Sequence, residues 1–482
     1  MGLIKKDFLL IIIILWVVFV AFWSFRTNPP YWTDEGIFHQ TVSNLNSFGI
    51  MGIRISPTTF SDGAFITVGY PVLYPAVVFF RLFGDSVTVL RLTSIYFLFG
   101  FLIVTYLLVK GLYGVKNALA SVLLISLFSP LYGNGKTFLG EVPGMFYFVF
   151  GLFVLDYALK IEKRKFLALF LSGVLLGLAA SSKPNFLVIL PALAVGFIWK
   201  WREFLSASKH LKNTGIIILG IAAATSLWFL TQFNGNTSAE KIFTHYSNPY
   251  YIQSIWPIIF INLKRFLTES TPLHFLLFLA TTAFMLLIKS FRREPLHFIE
   301  IVITSFVGAI IVFYVRTAGW YRYFFPAHLL LFIFFPISVE YISRRFLNFS
   351  ERRARAIFLF VIIILLMVQF WVMYKERFRT GPDEPTAFDQ YLIKFDNKES
   401  VLFYTVPDIA SRYHSANFYQ YLKIIEDLML GSENKELLKK GFFDKIVVRD
   451  KTVDFSLPRC YTQEMKFSKI IVFKRDYNAS CE

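Results

Sequence analysis

Eleven mostly apolar runs recur along the chain, and they constrain its fold more than any other feature. A helix needs about 20 apolar residues to cross roughly 30 Å of hydrocarbon, where no water is available to satisfy a bare backbone. The runs lie at approximately 8–25, 86–109, 117–131, 142–159, 166–181, 186–200, 213–231, 272–289, 298–315, 323–342 and 356–374. They predict a polytopic α-helical membrane protein of about 11 transmembrane helices. Composition removes the soluble alternative: 56% of the 482 residues are hydrophobic, 57 are Phe, and only 17% are charged. A soluble domain of this size has no interior large enough for that much apolar surface. The first run ends in "FRTNPP" with no small-residue cleavage site, so it reads as a retained span rather than a signal peptide.

The formal net charge of +17 could point to nucleic acid, but its distribution points to membrane topology. With the N-terminus placed in the cytoplasm, the inner segments hold 20 Lys and Arg in about 55 residues, and the outer loops hold 10 in about 120. Basic residues concentrate on the cytoplasmic side of membrane proteins, so this contrast sets the orientation. No basic stripe with interleaved aromatics occurs in a soluble segment, which argues against nucleic-acid binding.

Two outer loops are long, 26–85 and 232–271, and both contain aromatic, partly amphipathic stretches. These predict juxtamembrane helices lying over the bundle on its outer face. From about 376 the composition changes. "GPDEP" reads as a linker, followed by strand-like runs at 401–405, 445–449 and 469–474 with helix-like stretches between them. The expected division is a transmembrane domain, 1–375, and a small extracytoplasmic α/β domain, 376–482. An odd number of spans puts that domain outside, where Cys460 and Cys481 have an oxidising environment in which to pair; whether they do so is left open.

Four clusters carry ionisable groups on the outer face. In "PPYWTDEGIFHQ", Asp34 and Glu35 follow directly on the first span. A capping acid at a helix start is the ordinary explanation. A carboxylate at the bilayer edge, partly shielded by loops, is also suited to take a proton from a hydroxyl. In "YGNGKTFLGEVPG", Glu141 opens the next descending helix and reads either as a first-turn acid or as a second acid facing the first. In "SSKPNF", Lys183 either snorkels or neutralises a phosphate at headgroup level. In "RTAGWYRYFFP", Arg322 stands between Tyr321 and Tyr323 on the side where basic residues are scarce. That favours recognition of an anionic headgroup over simple aromatic-belt anchoring. His39 lies four residues after Glu35, a weak metal signal by itself.

Taken in order, "TDEGIFHQ", "GYPVLYPAVVFFRLFGDSVTVLRL", "GEVPGMFYF", "LAASSKPNFLVILPAL" and "YRYFFPAHLLL" make a series. It resembles the dolichyl-phosphate-mannose protein mannosyltransferase-like glycosyltransferases, membrane enzymes of the GT-C fold class that include protein O-mannosyltransferases and aminoarabinose transferases. The resemblance spans about residues 8–345. One departure is that "GYPVLYP" replaces the family's His-Pro-Pro form, so Tyr70 stands where the family has His.

The resemblance implies a GT-C fold and an inverting transfer of a sugar from a polyprenyl- or dolichyl-phosphate donor to an acceptor hydroxyl of a protein, lipid or glycan. It makes Asp34 the catalytic base and Glu35 its supporting acid. Lys183 and Arg322, with Tyr321 and Tyr323 beside the latter, become partners of the lipid phosphate. Glu141 shapes the acceptor side or holds a metal. No organic cofactor is implied, and a divalent metal is left open. The expected location is the plasma membrane, with the C-terminal domain outside.

A polymerase or ligase acting on lipid-linked oligosaccharides shares this chemistry. A transporter or flippase would place ionisable groups at mid-membrane, whereas here they gather at one face.

Overall fold

Each apolar run closes its backbone hydrogen bonds as a helix. The computed structural model describes residues 2–200, 207–233, 237–247, 254–317, 320–378, 384–413, 415, 417–422, 433–450 and 457–481. The helices of the apolar region are α1 (Gly2–Phe22), α2 (Thr33–Phe48), α3 (Tyr70–Phe83), α4 (Val87–Ser126), α5 (Ser129–Lys136), α6 (Glu141–Lys160), α7 (Lys165–Ser182), α8 (Ile189–Lys200), α9 (Ala207–Gln232), α10 (Ala239–Ser247), α11 (Ile255–Thr268), α12 (Ser270–Phe291), α13 (Phe298–Val315), α14 (Tyr321–Tyr341) and α15 (Glu351–Arg377).

Among the described residues, eight helices are long and apolar enough to cross a membrane, and three further apolar helices are shorter: Phe8–Phe22, Tyr70–Phe83 and Pro184–Lys200. The protein is therefore a multi-pass integral membrane protein. Two runs separate in the sequence, 86–109 and 117–131, join in the one long element α4. It is broken inside by Gly114, whose backbone (φ 83°, ψ 170°) is not helical. The "SSKP" turn folds as a short 3₁₀ segment, Pro184–Val188, because Pro184 has no N–H with which to continue α7.

One apolar core links α1, α4, α6, α7, α8, α13, α14 and α15, with Phe148, Phe186 and Phe306 wholly buried at its centre. A second core joins α2, α3, the loop between them and the first turns of α4. It also takes in Phe138 and, from the C-terminal domain, Leu422.

The C-terminal domain comprises α16 (Glu384–Leu392), β1 (Val401–Tyr404), α17 (Pro407–Ala410), β2 (Phe418–Tyr421), α18 (Glu433–Lys439), β3 (Lys445–Arg449), β4 (Tyr461–Phe467) and β5 (Ile470–Arg475). Its sheet has the order β2-β1-β3-β5-β4. β1 runs parallel to β2 and β3, and β5 runs antiparallel to β3 and β4. The central strands β1 ("VLFY") and β3 (apolar at Ile446, Val447 and Val448) put apolar residues on both sides because both faces of the sheet are covered. Cys460 and Cys481 are joined by a disulfide.

The domain docks on α2 and on the loop after it. Gln420 of β2 donates its backbone N–H to the Arg54 carbonyl at 3.0 Å and its side-chain amide to Gln40 Oε1 at 2.8 Å. Gly36 lies so close to α17 that a Cβ there would sit 1.9 Å from the Pro407 carbonyl oxygen.

Candidate active site

Helix α2 begins at Thr33 after Trp32, whose backbone is extended and whose side chain makes no capping bond. Asp34 is thus not the cap. It and Glu35 occupy the first turn, where the helix dipole favours negative charge. Successive helical residues point about 100° apart, so the two neighbours face different surroundings.

Glu35 points into the bundle. Arg91 Nε and Nη2 donate to its two oxygens at 2.8 and 2.7 Å, and both side chains are fully buried. Arg91 also donates to the carbonyls of Phe25 and Pro29 at 2.9 and 3.0 Å, and the Phe138 N–H reaches Glu35 Oε1 at 3.3 Å. Glu35 therefore fixes the exit of α1, the start of α2 and the head of α4 against one another. Its two oxygens are occupied by protein donors, so its geometry is that of a positioning residue rather than of a group meeting substrate.

Asp34 points toward α14 and pairs with Arg322. Its side chain keeps 22% of its accessible surface. The Arg322 guanidinium lies 4.7 Å from the Trp320 ring and 5.2 Å from that of Tyr323, and it donates to the Tyr323 hydroxyl at 3.3 Å. An arginine in the first turn of a helix opposes the dipole, so its place needs another cause, and the carboxylate and ring faces supply one.

Lys183 stands at the end of α7. It donates to Thr67 Oγ1 at 2.9 Å and lies 3.7 Å from Glu141 Oε1. Burial pulls its ammonium below the ordinary lysine range; Glu141 and Asp34 oppose that shift and Arg322 adds to it. The two ion pairs thus feel each other's charge. Glu141 is wholly buried, and among the described residues neither of its oxygens has a hydrogen-bond partner.

A cavity of about 1100 Å³ opens at this point. Trp228 and Phe229 of α9, Phe243 of α10, Trp256 of α11 and Val312 of α13 make it mainly apolar. Its polar wall holds Lys183, Thr67, Tyr323 and Arg316. The residues singled out in the sequence therefore do not all meet. Lys183 and Tyr323 line the cavity, while Tyr321 turns into the bundle and hydrogen-bonds His328 Nδ1 at 3.0 Å. His39 meets Asp85 at 2.9 Å rather than Glu35. Among the described residues, no group of three or more His, Cys, Asp or Glu stands together as a metal site would require.

Arg91 was given no role from the sequence, and Arg316 was noted only beside Arg322. Arg91 had a signal: a charge inside an apolar run has to find a buried partner. Arg316 was visible as a basic residue on the outer side, but only the fold brings it to the same cavity as Lys183.

Residues 71–228 match the family model described as dolichyl-phosphate-mannose-protein mannosyltransferase. The match covers about a third of the chain. Its fold is similar to that of ArnT from Cupriavidus metallidurans bound to undecaprenyl phosphate, with a TM-score of 0.62, 12% identity, and 96% of this chain and 97% of that one covered. It is also similar to the oligosaccharyltransferase of Archaeoglobus fulgidus, with a TM-score of 0.61, 12% identity, and 92% and 70% covered. A form of that archaeal protein, AglB, was solved with an inhibitory peptide and a dolichol-phosphate (TM-score 0.61, 12% identity, 93% and 69% covered). No curated protein sequence matches significantly. The family match covers α3 to α9 in part, and the Asp34 and Arg322 ends of the site lie on either side of it.

Proposed function

We propose that this chain transfers a sugar, with inversion, from a polyprenyl-phosphate donor to an acceptor hydroxyl at the extracytoplasmic face of the membrane. The observation that carries the reading is the position of Asp34. It is a part-exposed carboxylate held by Arg322, which donates to Tyr323, and Tyr323 lines a large apolar cavity whose polar wall bears Lys183 and Arg316. The cavity suits a prenyl chain, and the cations suit the phosphate at its end. The solved GT-C proteins with undecaprenyl phosphate and dolichol-phosphate lend support by analogy.

The step balances with these groups alone. The acceptor oxygen attacks the anomeric carbon from the side opposite the phosphate, and its proton passes to an Asp34 oxygen. The anomeric carbon–oxygen bond breaks, and its electron pair stays on the polyprenyl monophosphate. The leaving group is already an acidic phosphate, so cations replace a general acid. Lys183 and Arg322 are placed to stabilise the charge that grows on that oxygen.

Arg322 is paired with Asp34. A phosphate offers that guanidinium a competing anion with more acceptor oxygens. Donor binding would then draw Arg322 toward the phosphate and free Asp34 to meet the acceptor hydroxyl.

The test is Asp34→Asn assayed with a panel of polyprenyl-phosphate sugars. Donor binding should persist while turnover falls by about 10²–10⁴-fold, the range for loss of a general base. Retained turnover would remove Asp34 from that role.

A further inference from the structure

A second cavity, of about 350 Å³, lies between α2 and the C-terminal domain. We propose that it is a saccharide-binding site. It is separate from the reaction centre. The α2 residues His39, Ser43 and Ser47 line it and form one stripe at four-residue spacing. Asp34, five residues before His39, points about 140° away around the same helix. An occupant would sit behind the catalytic helix.

The lining chemistry selects the ligand class. Two carboxylates face the cavity, and each already has a cationic or imidazole partner: Asp85 with His39 at 2.9 Å, and Asp389 with Arg412. Arg412, the cation on this wall, is taken up by Asp389, and Asp85 is met by His39 and the Ser43 hydroxyl, so the wall offers an anion no unpaired cation and suits a hydroxyl-bearing molecule. The carboxylates still offer lone pairs to hydroxyl donors, and the side chains of Ser47 and Thr88 both donate and accept. Phe48 lines the cavity and is 51% exposed, leaving apolar ring surface for the C–H face of a pyranose. His39 is only 6% exposed, yet among the described residues its Nδ1 has no hydrogen-bond partner. A buried polar atom left over in this way is costly, and a ligand hydroxyl would satisfy it. A polyol with one apolar face meets these demands.

The cavity is also wired to the catalytic helix. The ring of Tyr31, which lines it, lies 4.5 Å from the Arg412 guanidinium and 4.1 Å from that of Arg91. Arg91 in turn holds Glu35. A saccharide seated here would brace the C-terminal domain against the start of α2.

The experiment uses the full chain in nanodiscs and saturation-transfer NMR with methyl α-mannopyranoside, methyl β-glucopyranoside, N-acetylglucosamine and cellobiose. At least one probe should bind saturably. Ser47→Trp and Thr88→Trp, which fill the cavity, should each weaken that binding at least tenfold while undecaprenyl-phosphate binding stays unchanged. No saturable binding of any probe, or binding that both variants leave intact, overturns the proposal.

The source of the saccharide is read separately and rests on the transferase function proposed above. If it is part of a glycan acceptor, Ser47→Trp raises the KM for acceptor without changing kcat or the KM for donor. If it is a free sugar, both KM values stay as they are. Cavity-dependent sugar binding in a protein without turnover on any polyprenyl-phosphate donor would overturn the transferase reading and leave this site standing.

Discussion

Asp34 and Glu35 are adjacent in sequence but occupy opposite environments, and single substitutions should separate them. Glu35 and Arg91 form a buried, doubly hydrogen-bonded pair. Removing one partner of such a pair strands the other, at a cost of about 3–5 kcal/mol. Glu35→Gln should therefore lower the thermal midpoint markedly, whereas Asp34→Asn, at a part-exposed position, should leave it nearly unchanged; a scanning fluorimetry comparison decides this. Arg322→Ala should weaken donor binding roughly tenfold to a hundredfold, from the loss of charge-assisted hydrogen bonds worth about 1.5–3 kcal/mol. Unchanged affinity for undecaprenyl phosphate would show that Arg322 does not hold the phosphate. Lys136 supplies a pH prediction. Its ammonium donates to the Trp23 carbonyl at 2.7 Å, and burial, then Arg377 and Arg91, pull its pKa down to about 7. An unfolded lysine keeps its proton to about pH 10.4. Between those values the unfolded chain binds more protons than the folded one, so this group makes stability rise with pH. The midpoint should climb from pH 7 to pH 9 in the native protein and climb less in Lys136→Met.

At the scale of elements, α2 shows how far the sequence could be read. A helix start at Asp34 and Glu35 was legible, with Asp34 as its cap; the structure places both acids inside the first turn instead. The face of α2 that meets the C-terminal domain was not legible, because the cause lies 371 positions away, where the Pro407 carbonyl leaves no room for a Cβ on Gly36. Gly36→Ala should force α17 off α2, with an overpacking cost of about 1–3 kcal/mol. Faster hydrogen exchange in 407–411 and along α2 would report it, and unaltered exchange would show that the contact yields without cost. Lys183 was legible as a lysine in a tight outer turn, either snorkelling or meeting a phosphate. Its tie to Thr67 was not, since 116 residues separate them. Tyr321 was assigned to the site because it flanks Arg322, but helical rotation carries it to His328 instead. Sequence adjacency on a helix places neighbours on different faces, and that rule accounts for both the Glu35 and the Tyr321 outcomes.

At the scale of the whole molecule, the apolar runs, the clustering of ionisable groups at one face and the late change of composition made the architecture legible, because membrane insertion leaves few alternatives. The cavity was not legible, since its walls come from helices spread between α7 and α14. Cysteine chemistry supplies the test of how the molecule lies in its membrane. Cys460 and Cys481 enclose a short loop, and a disulfide across a loop of that size stabilises by about 3 kcal/mol, chiefly by restricting the unfolded chain. Such a bond persists outside the cytoplasm and is reduced within it. In intact cells, unfolded after quenching with a small alkylating reagent, neither cysteine should take up a maleimide tag until a reductant is added, and both should do so afterwards. Tagging without reductant would place the C-terminal domain with the reduced thiols of the cytoplasm. Asp34, which shares that domain's side of the membrane through the Gly36–Pro407 contact, would then face the cytoplasm too, and the extracytoplasmic transfer proposed above would fall with it.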